Sequence, residues 1–203
     1  MVEYDLKGRD ISDPAVLKAM SRVPRHAFIA DRLSHLAYSD SALPIAAGQT
    51  ISQPYIVALM TQSAQLKSTD VVLEIGTGSG YQAAVLAEVV REVFSIEILE
   101  SLAKTATATL KRLGYDNIRT RHGDGYRGWA EEAPFDAILI TAAAPKIPQP
   151  LVDQLKVGGR IVMPLGSQGM PQKLIVLTRT EMGLEEKFIT GVAFVPMTGE
   201  VRP

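Results

Sequence analysis

The chain contains no cysteine, which excludes disulfides, thiolate nucleophiles and cysteine metal sites together and fits a reducing compartment. Histidine is scarce as well. His26, His35 and His122 share no metal-ligand spacing, so no metal is expected and all three read as structural or surface residues. Neither sign of charge is in excess, 21 Lys and Arg standing against 22 Asp and Glu. No run of Lys and Arg makes a basic patch, which argues against nucleic acid as a partner. No apolar run approaches the roughly 20 residues that cross a bilayer, and the opening MVEYDLKGRD is too polar for the apolar stretch of a signal peptide. A cytoplasmic protein without a membrane partner is the expectation. The absence of a heptad or an extended apolar surface predicts a monomer.

What is present is globular. Apolar residues make up 46% of 203 positions, enough for one domain with a real core. Three stretches divide it: residues 1–65, helical and irregular; residues 66–170, alternating strand and helix; residues 171–203, strands at a sheet edge. Asp13-Pro14 opens a short helix carrying Val16, Leu17 and Met20. After the loop SDSALPIAAGQTISQP, Ile56, Leu59 and Met60 have helical spacing, with Ser52 or Gln53 where a cap belongs.

The middle stretch predicts strands at Val71–Ile75, Val93–Ile96, Ile118–Arg121, Phe135–Ile140 and Arg160–Met163, the last entered through a turn at Val157-Gly158-Gly159. Residues 81–91 and 99–113 predict helices between them, the second stopped by Gly114. This alternation predicts an α/β fold: a doubly wound, Rossmann-like, mostly parallel sheet. Leu174–Thr178 and Phe188–Phe194, joined by the polar EMGLEEK, predict an antiparallel pair at its edge.

The most informative segment is Glu74-Ile75-Gly76-Thr77-Gly78-Ser79-Gly80-Tyr81. A buried strand ends in a glycine turn that opens a helix, where such folds bind ligands. The dinucleotide fingerprint needs a third glycine at position 81, which is tyrosine, and no lysine stands where a P-loop needs one. Glycines at 76, 78 and 80 behind Glu74 instead resemble the first motif of S-adenosylmethionine-dependent methyltransferases. Glu97, ending the second strand, is placed for ribose hydroxyls. Asp124 is placed for the adenine amino group and Gly125 to leave room for the ring, and Thr141, ending the fourth strand, joins this set.

Beyond the cofactor motif, the chain resembles one family, the protein-L-isoaspartate (D-aspartate) O-methyltransferases. The resemblance rests on Ala37–Asp40, Leu43–Ile45, Gly48-Gln49-Thr50-Ile51-Ser52-Gln53-Pro54, Val72–Tyr81, Ala133–Asp136, Thr141–Ala143 and Phe194–Pro196. The family usually has glycine where this chain has Ala46. The resemblance implies S-adenosyl-L-methionine as cofactor and isoaspartyl residues of ageing proteins as acceptors, methylated on the free α-carboxyl and repaired through a succinimide. It implies Ser52 near the reacting carboxylate, with Thr50, Ile51, Gln53 and Val195 around the substrate. An α-helix starting just after Ser52 would favour an anion there, and the strand edge near Val192–Thr198 would pair with an extended peptide. Three alternatives stay open: a methyltransferase with a small-molecule or RNA acceptor, an NAD-dependent oxidoreductase, and a non-catalytic nucleoside-binding module.

Overall fold

A computed structural model of the chain describes residues 1–167 and 169–200. The first 65 residues build a cover. Helix α1 (Pro14–Arg22) begins where Asp13 accepts the N–H groups of Ala15 and Val16, with proline in the first turn. Two short strands, β1 (Leu43–Pro44) and β2 (Thr50–Ile51), pair antiparallel around a tight loop. Helix α2 (Pro54–Ser63) follows at once.

The rest winds into a sheet: β3 (Val71–Ile75), α3 (Tyr81–Ala87), β4 (Glu92–Glu97), α4 (Glu100–Arg112), β5 (Ile118–His122), β6 (Phe135–Ile140), α5 (Gln149–Asp153), β7 (Leu155–Leu165), β8 (Gln172–Thr180) and β9 (Gly183–Val192). The seven strands lie in the order β5-β4-β3-β6-β7-β8-β9. Strands β3 to β7 pair in parallel, and β8 is antiparallel to both β7 and β9. The order reverses between β3 and β6, which puts the topological switch point at the carboxyl ends of those two strands.

Both faces of the central strands are buried, so alternate residues enter different cores. Val72, Leu139, Val162 and Leu174 join the cluster under α1, α2 and α3. Leu73, Ile138, Ile161 and Ile175 join the other, with Leu151 and Val152 of α5. Helix α4 ends as its sequence requires: Gly114 adopts a φ of +81° and its N–H bonds to Lys111 O.

Several expectations need correction. Helix α3 stops at Ala87, short of residue 91, because Arg91 and Glu92 donate their N–H groups to Asp70 O and start the next strand. Val157-Gly158-Gly159 is a bulge inside β7 and not a turn before it: Leu155 pairs with Phe135 and Arg160 with Ala137, so the extra residues loop out. At the far edge, Gly183–Lys187 belongs to β9, leaving only Glu181 and Met182 as the turn. Phe194 lies past the end of that strand.

Candidate active site

The glycine segment turns at the carboxyl end of β3, and its alternation has a local cause. Gly76, Gly78 and Gly80 adopt φ values of +97°, +54° and +90°, a region closed to most side chains. Gly76 N–H bonds to Ile96 O at 2.8 Å and Gly80 N–H to Thr77 O at 2.8 Å, which folds the loop back over β4. A Cβ on Gly76 would stand 2.5 Å from Thr141 Oγ1. That hydroxyl is itself spent on the carbonyls of Ile75 and Gly76, at 3.0 and 2.6 Å. The loop and the end of β6 are thus clasped at the switch point.

A cavity opens above this clasp. Its wall includes Gln49, Thr50, Gly76, Gly78, Glu97, Ile98, Gly125, Thr141 and residues 195–198. Glu97, 6% exposed, accepts Gly78 N–H on Oε2 at 2.8 Å and Leu99 N–H on Oε1 at 2.9 Å. Each carboxylate oxygen keeps capacity for a further donor. Gly125 is required by a neighbour more than by a ligand: a Cβ there would lie 2.3 Å from Ile75 Cγ2.

Among the described residues this wall carries one carboxylate and no lysine, arginine or histidine. It suits a phosphate-free nucleoside bearing a positive centre and offers no cation to a pyrophosphate. The residue that breaks the dinucleotide fingerprint, Tyr81, is a core side chain packed edge-on against Phe28.

Three residues expected around the cofactor lie off this wall. Glu74 is fully buried beneath the loop, where Ser95 Oγ donates to its Oε2 and shares a 2.6 Å bond with Thr77 Oγ1. Gly80 is buried against α4, where a Cβ would meet Leu110 Cγ at 3.3 Å. Asp124 caps the turn Gly125–Arg127 by accepting Tyr126 N–H, and its other oxygen takes Glu200 N–H at 2.8 Å.

Burial pushes the Glu74 carboxyl up to about 8; the nearby Glu97 charge adds to this, and the Ser95 hydrogen bond opposes it. Glu74 therefore holds its proton in the fold at pH values where the unfolded chain has lost it. That contribution is fully present below the unfolded carboxyl's pKa, near 4.5, and is lost as pH rises through about 8. Glu74→Gln keeps an acceptor for Ser95 and carries no charge. The stability difference between the native protein and this variant, followed by denaturant unfolding from pH 5 to 9, should move against the native protein as pH rises. A constant difference would mean that the carboxyl does not titrate in this range.

A second, larger cavity of about 590 Å3 adjoins the first and is lined by Thr50, Ser52, Gln53, Ile56, Gln172 and residues 191–195, among others. Ile51 is absent from its lining because successive strand residues alternate: Thr50 and Ser52 face the cavity, while Ile51 is buried in the core opposite Leu43. The expected cap on α2 also changes identity. No side chain of Gln53 caps the helix. Asp40 does, accepting Tyr55 N–H on Oδ1 at 2.9 Å and the Gln53 amide on Oδ2 at 2.7 Å. The anion expected at this helix terminus is therefore supplied by the chain itself. Ala46 takes a helical backbone without positive φ, so its methyl group meets no left-handed backbone strain; the left-handed residues are Ala47 and Gly48.

Val195, with Pro196 and Met197, reaches the switch point through main-chain bonds on both sides of Ala143. Ala143 N–H donates to Val195 O and Met197 N–H to Ala143 O, each at 2.8 Å. Ile98, Leu102 and Met197 also line this first cavity, although the sequence motifs single none of them out for it; Ile98 could have been found as the residue following Glu97.

The chain matches the family model described as protein-L-isoaspartate(D-aspartate) O-methyltransferase over residues 1–202. It is 58% identical over 199 residues to protein-L-isoaspartate O-methyltransferase 2 of Shewanella sediminis, covering 98% of this chain and 82% of the relative. It is 54% identical over 200 residues to the protein-L-isoaspartate O-methyltransferase of Gloeobacter violaceus, covering 98% of each. A solved protein-L-isoaspartate O-methyltransferase superposes with a TM-score of 0.89 at 30% identity, over 99% of this chain and 67% of that one. A Plasmodium falciparum structure bearing the same family's name, in complex with S-adenosyl-L-homocysteine, gives 0.83 at 28% identity, over 97% and 96%.

Proposed function

Because the chain belongs to the protein-L-isoaspartate(D-aspartate) O-methyltransferase family, we infer that it methylates the free α-carboxyl of L-isoaspartyl and D-aspartyl residues in damaged proteins and peptides, at the expense of S-adenosylmethionine. The resulting ester opens a repair route through a succinimide. The observation that carries the reading is a shared wall: Thr50, Thr141 and Val195 line both the cofactor cavity and the larger one beside it. Two cavities meeting at three residues are what a transfer between two bound molecules requires.

When bound, S-adenosylmethionine supplies a methyl group made electrophilic by its sulfonium. Gly76, Gly78, Glu97, Ile98, Gly125 and Thr141 are the residues that would hold it, and Glu97 is the natural acceptor for its ribose hydroxyls. We assign the second cavity to the acceptor, with Thr50, Ser52, Gln53 and Val195 around it. An α-carboxyl titrates near ~3.5, so the nucleophile arrives ionised and no general base is needed. The residues lining this cavity are uncharged. Hydroxyl and amide donors can orient a carboxylate without the tight ion pair that would blunt its attack, and the neutral ester product leaves no cation stranded. The chain's own task is to align the carboxylate and exclude water. Among the described residues no helix is long and apolar enough to cross a membrane.

The reaction is tested with methyl-labelled S-adenosylmethionine and two peptides that differ only in isoaspartate or aspartate at one position. Label should enter the isoaspartyl peptide alone, as a base-labile ester. Label in neither peptide, with S-adenosylhomocysteine still bound, would leave the acceptor wrongly assigned. In the same assay Ser52→Ala should lose about 10- to 100-fold in kcat/KM, because a hydrogen bond to a charged group is worth about 1.5–3 kcal/mol. Its melting temperature should not change, because the N-cap of α2 is Gln53 and its anchor is Asp40. Full turnover in Ser52→Ala would remove that residue from the site.

A further inference from the structure

Gln172 opens β8 and is 6% exposed, yet it lines the acceptor cavity. Its side-chain amide is committed to a single residue. Nε2 donates to Phe194 O at 3.2 Å, and Oε1 accepts Phe194 N–H at 2.6 Å. A residue of a neighbouring strand makes this same pair of bonds in an antiparallel ladder. The main chain of Gln172 already pairs with Val192, the last residue of β9. The side chain therefore continues the ladder two residues past the end of the strand, carrying the segment 193–195 along the mouth of the cavity. Gly166 leaves space for it: a Cβ there would press on Gln172 Cα and Cγ at 3.1 Å.

The wall between the two cavities is thus held from two directions. Ala143 fixes Val195 and Met197 by main-chain bonds. Gln172 fixes Phe194, and it touches the acceptor cavity but not the cofactor wall.

We propose that Gln172 is a positioning residue for the isoaspartyl acceptor: its amide stands in for a missing strand and sets the Phe194–Val195 wall against which the acceptor carboxylate is aligned. The proposal rests on the assignment of this cavity to the acceptor. It requires an amide at this length, because only a donor and an acceptor side by side can satisfy both polar groups of one residue.

The test uses the full chain with Gln172→Leu, which keeps the volume and loses both bonds, and Gln172→Asn, which keeps the amide and loses the reach. Three quantities are read: peptide KM and kcat at saturating S-adenosylmethionine, S-adenosylhomocysteine affinity by calorimetry, and amide hydrogen exchange across residues 190–197. Both variants should raise peptide KM about tenfold with kcat within about twofold, the signature of a lost binding wall that holds the acceptor equally in the ground and transition states. Cofactor affinity should stay within about twofold, and exchange at Phe194 should quicken while the remainder of the sheet keeps its protection.

Unchanged exchange at Phe194 overturns the proposal whatever the activity. Faster exchange with unchanged KM overturns it too, because the wall would then be held without consequence for the acceptor. A parallel loss of KM, kcat, cofactor affinity and global protection would make Gln172 a structural residue only. Should Gln172→Leu fail to fold, Gln172→Asn decides between these results. If the native protein methylates no isoaspartyl peptide, the acceptor assignment fails and with it this role, while exchange at Phe194 still reports whether the amide holds the wall.

Discussion

Glu97→Ala is expected to weaken S-adenosylhomocysteine binding by at least about a hundredfold, equivalent to ~2.7 kcal/mol, while the sheet remains folded. The carboxylate has two roles at one place. It accepts Gly78 N–H and Leu99 N–H, one on each oxygen, and so ties the glycine loop to the chain leaving β4. Hydrogen bonds to a charged group contribute about 1.5–3 kcal/mol each. Alanine therefore releases the loop as well as removing the one carboxylate on the cavity wall. The fold should survive because Gly76 N–H remains anchored to Ile96 O and both cores are untouched. Glu97→Gln separates the two roles. It keeps one acceptor oxygen but turns an N–H2 toward a backbone N–H, so it should fall between the native protein and alanine. Calorimetric titration checks the affinity and circular dichroism checks the fold. An affinity within about twofold of native for Glu97→Ala would show that the nucleoside is not recognised through this residue.

The same position shows why much of this cavity wall could be read from the sequence. Gly76, Gly78, Glu97, Gly125 and Thr141 are far apart in the chain, yet each lies at or just past the end of a strand. Parallel strands with both faces buried leave little freedom in register, so residues at their carboxyl ends gather along one edge of the sheet. Where the sequence misled, the determinants were either non-local or lacked periodicity. Ser52 and Gln53 look like local caps, but the group that caps α2 is Asp40, 15 residues before the N–H it accepts. The β1–β2 pair has two residues a side, too short for any period to show. Glu185, Glu186 and Lys187 read as a polar connection, but they lie on the exposed edge strand β9, where charge is a defence against unwanted pairing. Gln172 gave no signal because its partner is a backbone residue that its own side chain recruits. Glu74 sits in the motif for its effect on the loop from below: through Ser95 and Thr77 it supports the turn without reaching the cavity.

Gly76→Ala should be strongly damaging, and two separable causes predict its effect. The first is conformational. With φ at +97° the residue lies where an L side chain is strained, at a cost of about 1–3 kcal/mol. The second is steric. The new Cβ would stand 2.5 Å from Thr141 Oγ1, a hydroxyl held by the carbonyls of Ile75 and Gly76 and unable to swing away without abandoning both. The variant should lose measurable cofactor binding and about 2–4 kcal/mol of stability in denaturant unfolding, in the range that combined strain and lost hydrogen bonds produce. Thr141→Ala alone removes only the hydroxyl and its bonds and should cost about 1 kcal/mol. In the double variant the collision disappears while the backbone strain stays, so its total cost should be smaller than the sum of the two single costs by about 1 kcal/mol or more. That coupling is what ties the glycine loop to the end of β6 across the switch point. Strict additivity would mean that the loop relaxes away from Thr141 freely, and the wall shared by the two cavities would then need another explanation for its rigidity.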